Sequence, residues 1–372
     1  MRVAQVSCWR DPGRRSGAEL LEAWTALPLQ AAAADAAGVR VTVLQAAWRD
    51  EELERDGVRF VFVAEPPHLP ARVTRAWPRR LLARALAARP QVVHLQGLGF
   101  PLPARRLAAS GVPLLVQDHA GHPRGGWRGR ATRWGLARAA GVAFTVREHA
   151  RPFVEAGQLS PRVPVFEVLE STSTFTPGDV EAARRAAGVH GDPCLLWVAR
   201  LDANKDPLTV LDALSAAAPA LPGARLWMCY GESPLEERVR TRVAADPALA
   251  GRVHLLGRVP HARVQELCRA ADFLLLASRY EASSYALLEA TACGATPLVS
   301  DIPALRRMTR GGAVGGLFAP GDATALARLL AAQAALPRPP LRRAAREHFD
   351  RHLSLAALGG ELRAAYEGVL RR

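Results

Sequence analysis

Lysine is nearly absent from this chain of 372 residues. Lys205 is the only one, and the other 48 of the 49 basic residues are arginine. Because Asn204 precedes it, the chain has no GxxxxGK[ST] phosphate loop. HExxH, GxSxG and GxGxxG are also missing, as are two aspartates separated by one residue. These absences argue against zincins, α/β-hydrolases, dinucleotide-binding units and an aspartate-held metal-diphosphate site.

Cysteine is sparse and never spaced as CxxC. We interpret the five cysteines as reduced core residues of a cytosolic protein, with no zinc site and no cofactor. No apolar run reaches the length of about 18 residues that a membrane span needs. The first residues, MRVAQVSCWRDPG, lead directly into a strand, so we expect no signal peptide and a cytoplasmic location.

Acidic residues are rare in one region of a chain whose net charge is +14. Residues 71–138 contain 13 arginines and one acid, Asp118. Part of this region, RVTRAWPRRLLARALAAR, reads as a basic amphipathic helix. The region is either a solvated arginine-rich face or a surface for an anionic acceptor or the inner membrane leaflet. Motifs of nucleic-acid-binding proteins are missing, so we expect no nucleic acid partner.

Short β-branched runs alternate with alanine-rich helical stretches along the whole chain. This pattern predicts an α/β protein with two doubly wound parallel sheets and a ligand at the carboxyl ends of the strands. A polar stretch near residues 170–178 predicts the domain boundary. We expect domains at 1–172 and 173–352 and a terminal helix at 353–372, with Gly359-Gly360 as a break or hinge.

Two predicted strand ends carry charged residues. In VARLDANKDPL, Arg200 follows a strand, and Asp206 and Pro207 are typical of a helix start. Arg200 and Lys205 would therefore stand beside a helix N-terminus, where a pyrophosphate fits.

In SRYEASSYALLE, Ser283 or Ser284 would cap the next helix. Glu281 and Glu289 lie around this helix start. Because they would repel phosphate, they suit hydroxyl groups of a ribose or another sugar.

Several segments resemble the donor-binding motifs of the GT-B retaining glycosyltransferases of family 4. They are VARLDANKDPLTVLDAL, YGESPLEERV, VHLLGRVPHARV, SRYEASSYALLEATACGATPLVSD and GLFAPGDATALARLL. The likeness is dense from about residue 190 to 330, and PQVVHLQGL and LLVQDHAG resemble strand ends on the family's acceptor side. It implies two Rossmann-like domains facing a cleft, with a terminal helix that crosses back to the first domain.

The resemblance also implies roles for individual residues. Arg200 and Lys205 would hold the nucleotide diphosphate and stabilise charge on the leaving group. Glu281 would lie near the transferred sugar, and Glu289 would bind the ribose hydroxyls. His119 resembles a family histidine near the donor sugar. The other implied donor-binding positions are the backbone at Ser283, Ser284 and Tyr285, and Arg258 and Val259 at the base pocket.

Two segments depart from the family pattern. The first loop reads DPGRRSGAEL without a diglycine, which leaves Gly17 as the counterpart and Arg14 or Arg15 to reach the phosphates. Ala282, Ser283 and Ser284 replace a Gly-Phe-Gly segment. Their side chains are small, so close approach of a ligand to the backbone stays possible.

The resemblance implies a metal-independent retaining glycosyltransferase with a nucleotide-sugar donor and a small-molecule, glycan or lipid-linked acceptor. Four alternatives stay open. One is a nucleic-acid binder that uses the basic surface, which would show a steep salt dependence and would not need Glu281 or Glu289. The chain could be a non-catalytic nucleotide-sugar-binding or scaffold protein of the same fold, which the missing diglycine favours. It could also be a nucleotide-sugar epimerase or a phosphorylase on this architecture. A phosphorylase would need a pyridoxal phosphate lysine, and Lys205 sits in the wrong kind of motif for that.

Overall fold

The computed structural model describes residues 1–65 and 78–371 and divides the chain into two compact units. The first unit consists of Met1–Thr172 and the C-terminal segment that begins at Leu355, and the second is Ser173–Ser354. Residues 71–77, at the start of the arginine-rich stretch, lie outside the described residues.

The first unit is built on a mainly parallel sheet. Its described residues form eight strands, which are β1 (Arg2–Ser7), β2 (Arg40–Ala47), β3 (Glu51–Arg55), β4 (Val58–Ala64), β5 (Val92–Gln96), β6 (Leu114–Gln117), β7 (Gly141–Phe144) and β8 (Val165–Glu167). Their order in the sheet is β3-β4-β2-β1-β5-β6-β7-β8. Only β3 pairs antiparallel among these described strands, with β4.

Helices connect these strands. They are α1 (Gly17–Ala23), α2 (Ala26–Ala36), α3 (Arg79–Ala87), α4 (Pro101–Ala108), α5 (Gly126–Leu136) and α6 (Arg151–Glu155), and a 3-10 turn at Arg147–Ala150 precedes α6. The central strands are apolar and buried, as expected for a parallel sheet that is covered on both faces.

The second unit has the same type of architecture. Its strands are β9 (Cys194–Val198), β10 (Arg225–Cys229), β11 (Val253–Gly257), β12 (Phe273–Leu276), β13 (Thr296–Ser300) and β14 (Gly316–Phe318), in the order β11-β10-β9-β12-β13-β14. Its helices are α7 (Val180–Ala187), α8 (Pro207–Ala217), α9 (Glu236–Ala244), α10 (His261–Ala270), α11 (Tyr285–Ala292), α12 (Pro303–Met308), α13 (Ala323–Ala334) and α14 (Arg338–His352).

Each sheet has one point at which the chain order reverses. In the first unit this point lies between β1 and β5, and in the second it lies between β9 and β12. The connections on either side of such a point diverge, which leaves a crevice at the carboxyl ends of the two strands. The segments around Arg200 and Glu281 follow β9 and β12, so both lie at the crevice of the second unit.

The predicted α/β class with two parallel sheets is confirmed, and each run that predicts a strand contains one. These runs are VAQVSC, VRVTVL, RFVFV, QVVHL, PLLVQ, GVAFTV, CLLWVA, RLWMCY, RVHLL, DFLLL and TPLVS. Three short strands were not predicted. β3 carries four charged residues in EELER, and β8 and β14 have three residues each, so none shows the apolar run of a buried strand.

The last helix, α15 (Leu355–Leu370), belongs to the first unit. Its Tyr366 is fully buried, and the phenol oxygen accepts a hydrogen bond from Gln5 Nε2 at 3.1 Å and lies 2.9 Å from His94 Nδ1. The expected break at Gly359-Gly360 is wrong, because α15 is continuous through both. A Cβ on Gly359 would lie 2.2 Å from the carbonyl oxygen of Ala33, so this glycine permits close packing on α2.

Candidate functional site

A cavity of about 450 Å³ opens at the crevice of the second unit. The loops after β9, β10, β11 and β12 and the start of α11 form its walls. It contains nine of the eleven site residues predicted from the sequence, which are Arg200, Lys205, Arg258, Val259, Glu281, Ser283, Ser284, Tyr285 and Glu289.

The loop from β9 to α8 is fixed by its own aspartates. Asp206 caps α8 by accepting a hydrogen bond from Thr209 N, and Pro207 is the first helical residue, as predicted. Asp202 Oδ1 accepts a hydrogen bond from Lys205 N at 2.9 Å, and its Oδ2 lies 3.1 Å from Arg200 Nη2. The turn therefore places the two cations of this segment at the cavity.

A second set of contacts joins this loop to the one after β12. Asn204 Nδ2 donates to Tyr280 O at 3.0 Å, and Asn204 O accepts from Arg279 N at 2.8 Å. Arg279 also forms an ion pair with Asp206 at 2.7 Å. The two loops therefore act as one framework, and the contacts of Asn204 were not predicted from the sequence.

Lys205 and Glu281 form an ion pair at the wall of the cavity. Nζ lies 2.5 Å from Oε1, and the side chains are 16% and 8% exposed. Ser278 Oγ donates to the same oxygen at 2.7 Å. Both donors use Oε1, and no described residue hydrogen-bonds to Oε2. One face of the carboxylate therefore stays available to a ligand hydroxyl.

The helix that follows Glu281 begins with the predicted cap. Ser284 Oγ accepts from Leu287 N at 3.4 Å, and α11 starts at Tyr285. Ser283 Oγ is buried without a hydrogen-bond partner among the described residues. The positive end of this helix is therefore directed at the cavity through small side chains.

Glu289 has a partner that the sequence analysis did not identify. His261 Nε2 lies 2.7 Å from Glu289 Oε1, and the hydrogen bond to this carboxylate raises the pKa of His261 above its ordinary value. The ring of Phe175 lies against the imidazole, with centroids 4.8 Å apart. The sequence signal was present, since His261 lies in the quoted segment VHLLGRVPHARV.

Arg258 brings a third cation to the same cavity. It follows β11 and forms no ion pair with any described residue. A Cβ on Gly231 would lie 3.1 Å from its Nη2, so glycine leaves space for the guanidinium there. Val259, the next residue, contributes an apolar surface.

The other two predicted site residues belong to the first unit. His119 follows β6, and its Nε2 lies 2.6 Å from Gln96 Oε1, while Nδ1 lies 3.9 Å from Glu170 Oε2. Burial alone would lower the pKa of His119, but the carboxylates of Glu170 and Asp118 outweigh it and the pKa is raised. Burial raises the pKa of Asp118 to about 6.

Gly17 is engaged within the first unit. Its N–H donates to Glu51 Oε2 at 2.8 Å, and a Cβ would lie 2.5 Å from the ring of Phe62. Arg15 forms a two-point ion pair with Asp11, with both distances at 3.0 Å. Close packing thus explains the glycine at position 17, and its predicted contact with donor phosphates stays a prediction.

In the part of the chain that the structure describes, no group of three or more His, Cys, Asp or Glu side chains is arranged to hold a metal ion. None of the described helices combines the length and apolarity that crossing a bilayer requires.

Two family models match the chain, one in each unit. Residues 29–163 match "Glycosyltransferase Family 4", and residues 192–333 match "Glycosyl transferases group 1". Among the curated relatives is the D-inositol 3-phosphate glycosyltransferase of Mycobacteroides abscessus, which is 30% identical over 209 residues. That match covers 54% of this chain and 46% of the relative. The chain thus spans about half the length of the curated relatives it matches.

Solved structures show the same fold. The sucrose-phosphate synthase of Thermosynechococcus elongatus aligns with a TM-score of 0.69 at 19% identity and covers 100% of this chain and 99% of that one. HepE from Anabaena, solved in complex with UDP, aligns with a TM-score of 0.71 at 16% identity and covers 99% and 100%. These likenesses show the GT-B fold. The two family models, one in each unit, show that the chain belongs to the glycosyltransferases of family 4.

Proposed function

We propose that the chain transfers a sugar from a nucleotide-diphosphate donor to an acceptor hydroxyl, with retention of anomeric configuration and without a metal ion. The observation that carries the proposal is the cavity of the second unit. It combines three cations, Arg200, Lys205 and Arg258, with two carboxylates, Glu281 and Glu289, at a sheet crevice.

The cations suit the diphosphate. Arginine offers a planar fork to phosphate oxygens, and the ammonium of Lys205 has three donors. It can therefore keep its contact with Glu281 and donate to a phosphate oxygen at the same time. The acceptor oxygen bonds to the anomeric carbon as the bond from that carbon to the diphosphate oxygen breaks. The diphosphate leaves with the electron pair and takes up the proton of the acceptor hydroxyl. Positive side chains and the N-terminus of α11 would stabilise that charge.

The carboxylates suit hydroxyl groups. Each uses its Oε1 for a partner within the protein, Glu281 for Lys205 and Glu289 for His261. The second oxygen of each can accept a hydrogen bond from a ligand. We assign Glu289 to the ribose diol and Glu281 to the transferred sugar, as the E-x7-E pattern of the family implies, and retention rests on the same pattern.

The comparisons support the donor class without identifying the base or the sugar. UDP is bound in the HepE structure, which shares the fold. The acceptor named for the curated relatives is an inositol phosphate, and for this chain we propose only a small-molecule, glycan or lipid-linked hydroxyl compound. The buried, unpaired state of all five cysteines supports a reducing, cytoplasmic location.

The proposal is tested first by nucleotide binding and then by sugar transfer to an acceptor. Thermal unfolding would be measured with UDP, GDP and ADP and their sugar conjugates, in the wild type, in Glu289→Ala and in the matched control Glu347→Ala, which replaces an exposed glutamate of α14. A ligand at a hundred times its Kd stabilises by about 2.7 kcal/mol. We expect one nucleotide to raise the midpoint of thermal unfolding of the wild type and of the control variant, but not that of Glu289→Ala. No shift with any donor would overturn the proposal.

The scaffold alternative keeps one observation in its favour. The N–H of Gly17 donates to Glu51 and is therefore not free for a donor phosphate. A binder without catalysis would show the same nucleotide shift but release no nucleoside diphosphate in the presence of any acceptor or of water. Release of nucleoside diphosphate, dependent on Lys205, decides for the transferase.

A further part of the proposal concerns membrane contact by the first unit. On α5, Trp127 and Trp134 are 51% and 45% exposed and lie seven residues apart, so they share one face. Arg128, Arg130 and Arg133 are exposed on the same helix. Tryptophan beside arginine is typical of helices that lie in the headgroup region of an anionic bilayer. We therefore propose that α5 contacts the anionic leaflet of a membrane.

A further inference from the structure

Glu289 is held by a residue that lies outside the lining of the cavity of the second unit. Its carboxylate lines this cavity, and Oε1 lies 2.7 Å from Nε2 of His261. No other described residue hydrogen-bonds to the carboxylate. Val259 and Val264, on either side of His261 in the sequence, line the cavity, but His261 does not. Any effect of His261 on a ligand in the cavity therefore passes through Glu289.

The place of His261 in α10 is unfavourable for a histidine that carries charge. It is the first residue of the helix, after Pro260, and no side chain caps this end. The N-terminus of a helix carries partial positive charge, which repels a protonated imidazole. The pKa of His261 is nevertheless raised, because the hydrogen bond to Glu289 outweighs the effect of burial. The carboxylate therefore controls the charge of His261.

The imidazole of His261 is also held by the segment that precedes α7. Phe175, which is 6% exposed, packs against it with ring centroids 4.8 Å apart. The next residue, Thr176, accepts hydrogen bonds from the guanidinium of Arg269 at its carbonyl oxygen and at Oγ1, both at 2.8 Å. Because Arg269 belongs to α10, this segment is fastened to the same helix as His261. Phe175 therefore restricts rotation of the imidazole, which stays directed at Glu289.

Glu289 is the charged group that decides the titration of His261. It is the only charged residue of α11, and β9, which also packs against α10, has none. The charged groups on α7 and its cap, in the loop before α10 and on α10 near His261 are Asp179, Glu181, Arg184, Arg185, Arg258 and Arg263. Arg184 pairs with Glu181, and Arg263 donates to the carbonyl oxygen of Ala187. None of them shifts the pKa of His261, which only burial and Glu289 alter.

A ligand that covers Glu289 favours a protonated His261. The carboxylate can only accept hydrogen bonds, so Nε2 of His261 is the donor in their contact. When a ligand displaces water from the carboxylate, the local dielectric constant falls and the attraction between the two charges grows. A carboxylate covered without a partner of opposite charge would be strongly disfavoured. The negative charge of a diphosphate adds to the preference for a positive imidazole.

We infer that His261 is a positioning residue for Glu289 and that a sugar nucleotide binds to this cavity together with a proton, which His261 takes up. The proton comes from solvent and bonds to Nδ1, because Nε2 already holds the hydrogen that it donates to Glu289. The gain in affinity is complete below the pKa of His261 in the free protein. It is lost as the pH rises through the higher pKa of the complex. The inference rests on the proposed function, since it takes Glu289 as the contact to the ribose diol.

The test is isothermal titration calorimetry with UDP-glucose, GDP-mannose and ADP-glucose. The diphosphate of each is esterified at both ends and does not titrate between about pH 5.5 and 8.5, so a pH dependence of the Kd in this range belongs to the protein. The wild type would be compared with His261→Gln and His261→Ala at both ends of the range. The matched control is His190→Gln, which replaces an exposed histidine of the second unit that lies before β9.

For the nucleotide that binds, we expect the wild-type Kd to be about two- to fivefold lower at the acidic end, because an exposed ion pair changes an equilibrium constant by at most about fivefold. His261→Gln keeps a hydrogen-bond donor but takes up no proton, so it should lose this change. His261→Ala should bind most weakly at both ends of the range. His190→Gln should behave as the wild type does.

The 2′-deoxyribose form of the same sugar nucleotide separates positioning from a general loss of structure. Without the 2′-hydroxyl, the wild type and His261→Ala should differ less in Kd, and an undiminished difference would overturn the role of His261. An unchanged pH dependence in His261→Gln would also overturn the inference, while the proposed function would stand. If none of the three sugar nucleotides bound to the wild type, the proposed function would fail together with the inference.

Discussion

The Nζ atom of Lys205 lies 2.5 Å from Oε1 of Glu281, a residue 76 positions away along the chain. This pair gives a physical reason for the single lysine in a protein that otherwise uses arginine. An ammonium is compact and can contact the carboxylate and a phosphate oxygen together, whereas a guanidinium is planar and larger. The position therefore selects lysine by geometry as well as by charge.

Replacement of Lys205 tests this reasoning. We expect Lys205→Ala to lower kcat by about 10²- to 10³-fold, as the loss of one preorganised donor to a developing charge does. Lys205→Arg should keep the charge and still lose most of the rate. The rate of nucleoside diphosphate release is measured for both variants. Arg343→Ala, at an exposed position of α14, is the control. Near-normal turnover in Lys205→Arg would show that only the charge matters.

The pair of His261 and Glu289 predicts a pH dependence. Because Glu289 raises the pKa of His261 in the folded protein, protonated His261 stabilises the fold. This contribution is fully present below the ordinary histidine pKa of about 6.5. It is lost as the pH rises through the raised value. Since His261 is 62% exposed, we expect less than about 1 kcal/mol.

Two measurements check this dependence. The unfolding free energy of the wild type should exceed that of His261→Gln at pH 5.5 by an amount of about this size, and the difference should shrink at pH 9. An NMR titration should show the pKa of His261 fall in Glu289→Gln. An unaltered titration in that variant would mean that the carboxylate is not the cause.

The sequence predicted which charged residues of the second unit lie at neighbouring strand ends, but not how they pair. Arg200 and Glu281 follow two strands that turned out to be neighbours, and the carboxyl ends of parallel strands share one edge of a sheet. The ion pair of Lys205 with Glu281 and that of His261 with Glu289 depend on how loops from different strands meet. No local pattern encodes such contacts, so they required the structure.

Gly359 and Gln45 are two further positions whose environments cannot be predicted from the sequence. Gly359 reads as a helix breaker because glycine destabilises helices, but its lack of a Cβ allows α15 to approach Ala33. Gln45, in β2, carries no motif at all, and only the structure shows that its Nε2 is buried without a partner among the described residues. The environments of both residues depend on side-chain packing, which only the folded chain shows.

Metal removal tests one part of the proposed mechanism. If Arg200, Lys205 and Arg258 stabilise the departing diphosphate, the reaction needs no divalent cation. We expect transfer to continue unchanged after dialysis against EDTA, and added Mg²⁺ or Mn²⁺ to have no effect beyond ionic strength. Loss of activity that Mn²⁺ restores would contradict this part of the proposal and leave the donor assignment intact.

The exposed tryptophans of α5 give the prediction for membrane contact. Each ring lies near a guanidinium, Arg128 at 5.7 Å from Trp127 and Arg105 at 5.3 Å from Trp134, so insertion would carry positive charge to the headgroups. Trp127→Ala and Trp134→Ala should each weaken sedimentation with phosphatidylserine vesicles by about tenfold, and neutral vesicles should bind poorly. Leu336→Ala, at an exposed leucine of the second unit, should bind as the wild type does. Equal binding of all variants would contradict the membrane contact of α5, because such a contact must bury at least one of the two rings.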